Sequence, residues 1–241
     1  MFDSKMISLI GTGLTESLYM TFFATLFAYV IGLPVGLILA ISSPEGIRPN
    51  RGLNTVLGGI VNFLRSVPFI ILAVAIIPFT RFVTGTSIGS TATIVPLVVA
   101  SAPLVARSVE SSVKGVDSGV VEAARSMGAS TWQIIRKVFL PEALPSLITG
   151  AASATITTLG FSAMAGAFGG SGLGAIAINY GYYRGQADIM YVMVILLVLL
   201  VHVIQKIGEK LSVRVDKTIR GGGTVPSEEN NRSIKEKEIQ K

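Results

Sequence analysis

Apolar residues gather along the chain in five long runs, at about residues 18–41, 56–79, 91–106, 147–168 and 189–207, with polar stretches between them. A helix needs roughly 20 residues to cross a hydrocarbon core, so the pattern predicts five transmembrane helices. Gly32, Pro34, Gly36, Pro68, Pro96 and Pro103 interrupt the runs. Membrane helices tolerate such breaks because neighbouring groups satisfy the freed backbone. The fourth run is rich in small residues, from Gly150-Ala151-Ala152-Ser153-Ala154 to Gly160, Ala163, Ala165 and Gly166. Small faces let helices approach closely, which places this helix inside the bundle.

Composition agrees with an all-α integral membrane fold. Half of the 241 residues are hydrophobic, 14% are charged and the mean hydropathy is +0.65, whereas soluble domains carry about a quarter charged residues. A chain this short could not bury several such helices on every side. The absence of cysteine excludes a disulfide scaffold, a Cys-type zinc site and a cysteine nucleophile. The net charge of +6 could suggest nucleic acid, but the basic residues sit in alternate connections. One set holds Arg48, Arg51, Arg107, Lys114, Arg125, Arg136, Lys137, Lys206 and the cations after it; the other holds Lys5, Arg81 and Arg184. The rich side is cytoplasmic by the positive-inside rule. The N-terminus is then outside and the C-terminus cytoplasmic. Residues 1–14 read as an extracytoplasmic N-terminus without the basic leader of a cleavable signal. Residues 15–214 read as the membrane domain, and residues 215–241, polar and Gly-led, as a disordered cytoplasmic tail.

The connection at residues 107–146 is the longest, and it is patterned. Asp117 or Ser118 can cap a short helix that Gly128 ends. Ser130 and Gln133 fit a capping box. The helix that follows places Trp132, Ile135, Val138 and Phe139 on one side, and Leu140-Pro141 is expected to stop it. Periodicity alone leaves open an amphipathic helix lying on the bilayer.

The spacing is more specific. Glu122-Ala123-Ala124, three residues, Gly128, nine residues, Val138, one residue, Leu140-Pro141 resembles the EAA motif of type I ABC importer permeases, departing from it only in Val138 where that family has Ile. Residues 60–72, Ile77-Pro78-Phe79-Thr80-Arg81, Phe161-Ser162-Ala163-Met164-Ala165-Gly166, Gly172-Leu173-Gly174 and Tyr180-Gly181-Tyr182 are similar to the methionine importer permeases. The likeness spans about residues 15–214. It implies the type I importer permease fold, methionine (L and D) as cargo, and alternating access. The implied partners are two copies of an ABC ATPase subunit, an extracytoplasmic methionine-binding protein, a second copy of this chain, and the lipid membrane. Glu122, Ala123, Ala124, Gly128, Val138, Leu140 and Pro141 would form the coupling element, Ala123 and Ala124 allowing close approach of the ATPase. A permease for another small solute, such as a quaternary amine, is the alternative.

No GxxxxGK[ST] sequence occurs, so ATP must be hydrolysed on a separate subunit, and the chain is read as a transport subunit rather than an enzyme, with no cofactor. Five helices are few for a closed path; a two-fold homodimer would supply ten. Met164, with Phe161 and Ser162 beside it, is the candidate gate, with core packing as the competing reading. Arg65 is the conspicuous charge within a span. Glu16 and Asp188 belong at the outer interface. Gly169–Gly174 reads as a tight turn, because no βαβ context surrounds it. Tyr180, Tyr182 and Tyr183 suit an interfacial belt. The single His202 makes neither a metal site nor a relay. An intramembrane enzyme lacks its catalytic set here. A secondary transporter would show repeats and buried acids, which this pattern lacks.

Overall fold

The computed structural model describes residues 4–216, and these are almost entirely helical. In chain order the helices are α1 (Ser4–Ser42), α2 (Arg51–Ser66), α3 (Phe69–Ala75), α4 (Ile77–Thr84), α5 (Ser90–Lys114), α6 (Ser118–Ser126), α7 (Thr131–Ile134), α8 (Leu140–Ala165), α9 (Gly172–Ile176) and α10 (Ala187–Val215). Four stretches are long and apolar enough to cross a bilayer, and the bent pair α2–α3 makes five when counted as one span. The disordered tail expected for residues 215–241 lies outside the described residues, apart from 215 and 216.

The bundle is organised around α1 and α5. Gly32 and Gly36 form a small-xxx-small face on α1 that meets Ala102, Val105, Ala106 and Val109 of α5. A Cβ on Gly32 would lie 2.7 Å from the carbonyl oxygen of Ala102, so the backbones touch where only glycine fits. Such contacts give membrane helices their packing energy in the absence of a hydrophobic drive between them. α8 closes against α5 through a buried Ser101–Thr158 hydroxyl pair at 2.8 Å and a Ser112–Ser146 pair at 2.8 Å. α10 joins α8 where Ser212 donates to the Pro145 carbonyl at 2.9 Å. The small-residue helix is therefore inside the bundle on one face, as its composition predicts.

Three sequence expectations need correction. The second apolar run is not one helix. α2 and α3 meet at 102° around Val67-Pro68. Proline there has no N–H to continue the ladder, and it forces the preceding residue out of the helical region; Val67 is extended, at φ −82° and ψ 123°. The third helix does not end at residue 106 but runs on to Lys114, because its polar last turns are covered by protein. Leu140-Pro141 does not stop a helix either. The chain passes from α7 through a π turn at Ile135–Phe139 directly into α8, with Pro141 in the first turn, where its missing N–H costs little.

The glycine-rich segment expected as a turn at residues 169–174 is one only at residues 169–171; Gly172-Leu173-Gly174 begin α9, and Glu16 holds the junction. The Glu16 carboxylate accepts from the Gly172 amide at 3.0 Å and from the Ser90 hydroxyl at 3.1 Å, while Ser17 Oγ accepts from the Leu173 amide at 2.9 Å. Glu16 thus ties α1, α5 and the start of α9 together.

Candidate functional site

The loop between α5 and α8 is built from local caps. Asp117 Oδ1 accepts from the amides of Gly119 at 2.7 Å and Val120 at 3.3 Å, starting α6. Gly128, at φ +79°, reverses the chain after it, a conformation that side-chain-bearing residues rarely adopt. The reversal is closed by Gly128 N–H to the Arg125 carbonyl at 2.9 Å and Ala129 N–H to the Ala124 carbonyl at 3.1 Å. Ser130 and Gln133 form the expected capping box, with Gln133 Oε1 accepting from the Ser130 amide at 2.8 Å.

The inward side of this loop is Ala124, Ile134 and Phe139, all buried against Val113 and Ala143, with Ile135, Val138 and Leu140 packed beside them. Ala124 is therefore spent on the chain's own core, and Ala123, exposed, is the alanine left for a partner. Trp132 is not on the inner side; it is 67% exposed, and Met127 is 82% exposed. Ile134 takes the inner place instead. The sequence reading missed Met127 and Trp132 as surface features; the signal for them was their position on either side of the Gly128 reversal. Glu122 is exposed on the rim of a cleft of about 220 Å³ shared with Ser43, Lys114, Arg125 and Phe139. The α6 cap is supplied by Asp117. Pro141 is half-buried at the start of α8.

A second group lies on α8. Ser153, Thr157, Gly160 and Met164 are exposed at spacings of four, three and four residues, one continuous helical face. The Ser153 and Thr157 hydroxyls donate to the carbonyls four residues back, at 3.1 and 2.9 Å. Met164 is 49% exposed. Phe161 is half-buried and stacks on Phe69 of α3, centroids 4.7 Å apart and planes 10° apart. Ser162 is 1% exposed and donates to the Leu159 carbonyl; two positions from Met164 on a helix, it points to the opposite face and packs in the bundle. Arg65 lies exposed in the last turn of α2, four residues before Phe69. The Phe69–Phe161 stack brings the α2–α3 break and the Met164 turn to one region.

The charge most deeply placed is not Arg65. Glu110 is 6% exposed on α5. Its carboxylate accepts from Arg107 Nη1 and, at 2.8 Å, from Lys114 Nζ. Arg107 Nη2 reaches across to α2, donating to Asn62 Oδ1 at 2.8 Å and to the Gly58 carbonyl at 3.3 Å. A hydropathy reading that closed the span at its first charge put these residues in a loop.

Residues 32–217 match the family model of the binding-protein-dependent transport system inner membrane component. The chain belongs to this family. It is 48% identical to the probable D-methionine transport system permease protein of Pasteurella multocida over 86% of this chain and 96% of that one. It is 49% identical to the D-methionine transport system permease protein of Escherichia coli over 68% of this chain and 76% of that one. A chain from the MetNI methionine ABC transporter, solved in inward-facing conformations, has a TM-score of 0.88 at 47% identity, over 89% of this chain and all of that chain. An amino acid ABC transporter shares the fold, with a TM-score of 0.72 at 22% identity over 87% of this chain and 95% of that chain. The EAA-type spacing of residues 122–141 thus belongs to a permease of the type I importer family, an integral component of the bacterial inner membrane.

Proposed function

We propose that this chain is the membrane-spanning subunit of an ATP-driven importer of methionine, L and D. It works as a homodimer with two ATPase subunits on the cytoplasmic side and a methionine-binding protein outside. Its own N-terminus is outside and its C-terminus cytoplasmic, following the distribution of Lys and Arg. The observation that carries the reading is the α6–Gly128–α7 loop, a rigidly capped element joining α5 to α8 in a chain whose relatives are methionine permeases. The partner ATPase seats against Glu122, Ala123 and the Gly128 reversal. Val138, Leu140 and Pro141 connect that seat to α8. ATP-driven closure of the ATPases moves the loop, and the path alternates between the two sides.

The path follows the exposed face of α8 at the two-fold axis. The small side chains of Ser153, Thr157 and Gly160 leave room on that face for close approach of a second copy. Met164 from each copy forms the gate, backed by Phe161, with Arg65 near it.

The test is uptake of radiolabelled L-methionine into vesicles holding this chain with its ATPase and binding protein. A Gly128→Asp variant serves as the uncoupled control. A Cβ at Gly128 meets no atom of this chain within 4 Å, so beyond a strain of about 1 kcal/mol the variant should assemble. Uptake that requires ATP and is lost in that variant supports the reading. ATP-dependent uptake of another solute, such as a quaternary amine, without methionine would overturn the substrate. Full uptake by assembled Gly128→Asp would overturn the coupling site.

A further inference from the structure

A buried carboxylate is costly unless it is paired, and Glu110 has two cations for the purpose, both on its own helix. Lys114 faces it from one turn on. Arg107 does more than neutralise it, because its second amino group leaves α5 and holds Asn62 and the Gly58 carbonyl on α2. Otherwise α2 is lightly held: Leu57 and Val61 pack on Val35, Leu39 and Ala106, and Asn54 donates to the Leu39 carbonyl at 2.8 Å. The far end of α2 breaks at Val67-Pro68, and α3 beyond the break packs Phe69, Leu72 and Ala73 with Ile94, Leu97 and Ala100 of α5 and stacks Phe69 on Phe161 of α8. The broken segment α2–α3 is therefore attached to α5 on both sides of the break, and beyond it to α8 as well. These are the two helices that the coupling loop joins. A shift of α5 against α8 is then shared between the break and the Phe69–Phe161 stack, provided that α2 follows α5.

We propose that Arg107 is a positioning residue for transport: its guanidinium fork clamps α2 to α5, so that movement of the loop reaches the Val67-Pro68 break and, through Phe69 and Phe161, the Met164 turn. The inference rests on the importer reading above.

The experiment uses the full transporter in liposomes with three variants. Arg107→Lys keeps a positive charge beside Glu110 but lacks the planar fork. Asn62→Ala removes the side-chain acceptor on α2, leaving Arg107 only the longer bond to the Gly58 carbonyl there, and leaves the buried pair alone. Lys114→Gln removes the other cation of Glu110 without touching α2. Two quantities are read: ATP hydrolysed per methionine imported, and the distance between spin labels at Val56→Cys and Ile71→Cys, exposed positions on either side of the break, in a chain with no native cysteine. Arg107→Lys and Asn62→Ala are expected to raise the ATP cost per methionine about five-fold and to shrink the distance change on ATP binding, while Lys114→Gln keeps the wild-type ratio. Wild-type ratios and full distance changes in the first two variants would overturn the proposal. So would equal uncoupling by Lys114→Gln, which would reduce Arg107 to a counter-charge. If the wild-type complex imports no methionine, the importer reading fails on its own, and the ATP-induced distance change still decides whether Arg107 moves the break.

Discussion

The α1–α5 pair and α2 all belong to apolar runs of the sequence, yet they are held in opposite ways. α1 and α5 meet backbone to backbone along Gly32 and Gly36, with Val105 and Val109 filling the space between. α2 keeps most of its surface exposed and is tied down by a few polar reaches from Arg107 and Asn54. Close-packed interfaces are bistable or rigid rather than continuously deformable, and a segment held by discrete hydrogen bonds is what can move while the scaffold stays. The contrast sets a close-packed frame against a lightly held helix within one chain.

The sharpest way to break this contrast is to enlarge one glycine on each side of it. At Gly36 a Cβ would run into the Ala106 carbonyl and lie 2.7 Å from Val109 Cβ, backbone and branched carbon that cannot swing away. Gly36→Leu should cost about 3 kcal/mol or more, seen as a large drop in the thermal midpoint of the purified chain in detergent. At Gly59 on α2 nothing of this chain lies within 4 Å. Gly59→Leu should leave the same midpoint unchanged or slightly higher, since leucine is the better helix former by about 0.8 kcal/mol. Equal losses at both positions would mean that α2 is packed as tightly as α1.

A smaller effect sharpens the link between the two regions. Phe69 is 6% exposed and stacked on Phe161. Phe69→Ala removes the stack and the packing of one ring, about 2 kcal/mol in a setting where lipid is as apolar as the core. Limited proteolysis of the purified chain should then cut first near the α2–α3 break. Cleavage confined to the α6–α7 loop in both proteins would show that α3 does not depend on the stack.

How well each region could be read in the sequence follows from the range of its interactions. The caps at Asp117 and Ser130–Gln133, the reversal at Gly128 and the five apolar runs are settled within a few residues, and all are in the structure. The α2–α3 break was hidden because hydropathy continues unbroken through Pro68 and carries no information about direction. The length of α5 was hidden because a charge reads as the end of a span, whereas Glu110 is buried between cations one turn to either side. Ala124 and Trp132 were assigned the wrong sides. Their neighbours on α5 and α8 decide which face turns inward, and the π turn at Ile135–Phe139 shifts the helical phase that periodicity assumes.

The least costly change tests whether the α6–α7 loop belongs with the frame or with the lightly held α2. Asp117 caps α6 through two amides and, among the described residues, bonds only within its own turn. Asp117→Ala should cost about 1 kcal/mol and Asp117→Asn much less, because asparagine caps nearly as well. Hydrogen exchange at Gly119 and Val120 reads this directly. If α6 is a rigid body docked on the bundle through Ala124, losing its cap should speed exchange only in its first turn, since the buried Ala124–Ile134–Phe139 contact still holds the rest. If the loop instead breathes as one unit, exchange should rise from Gly119 through Gln133 together. Fast exchange confined to the first turn places α6 with the frame.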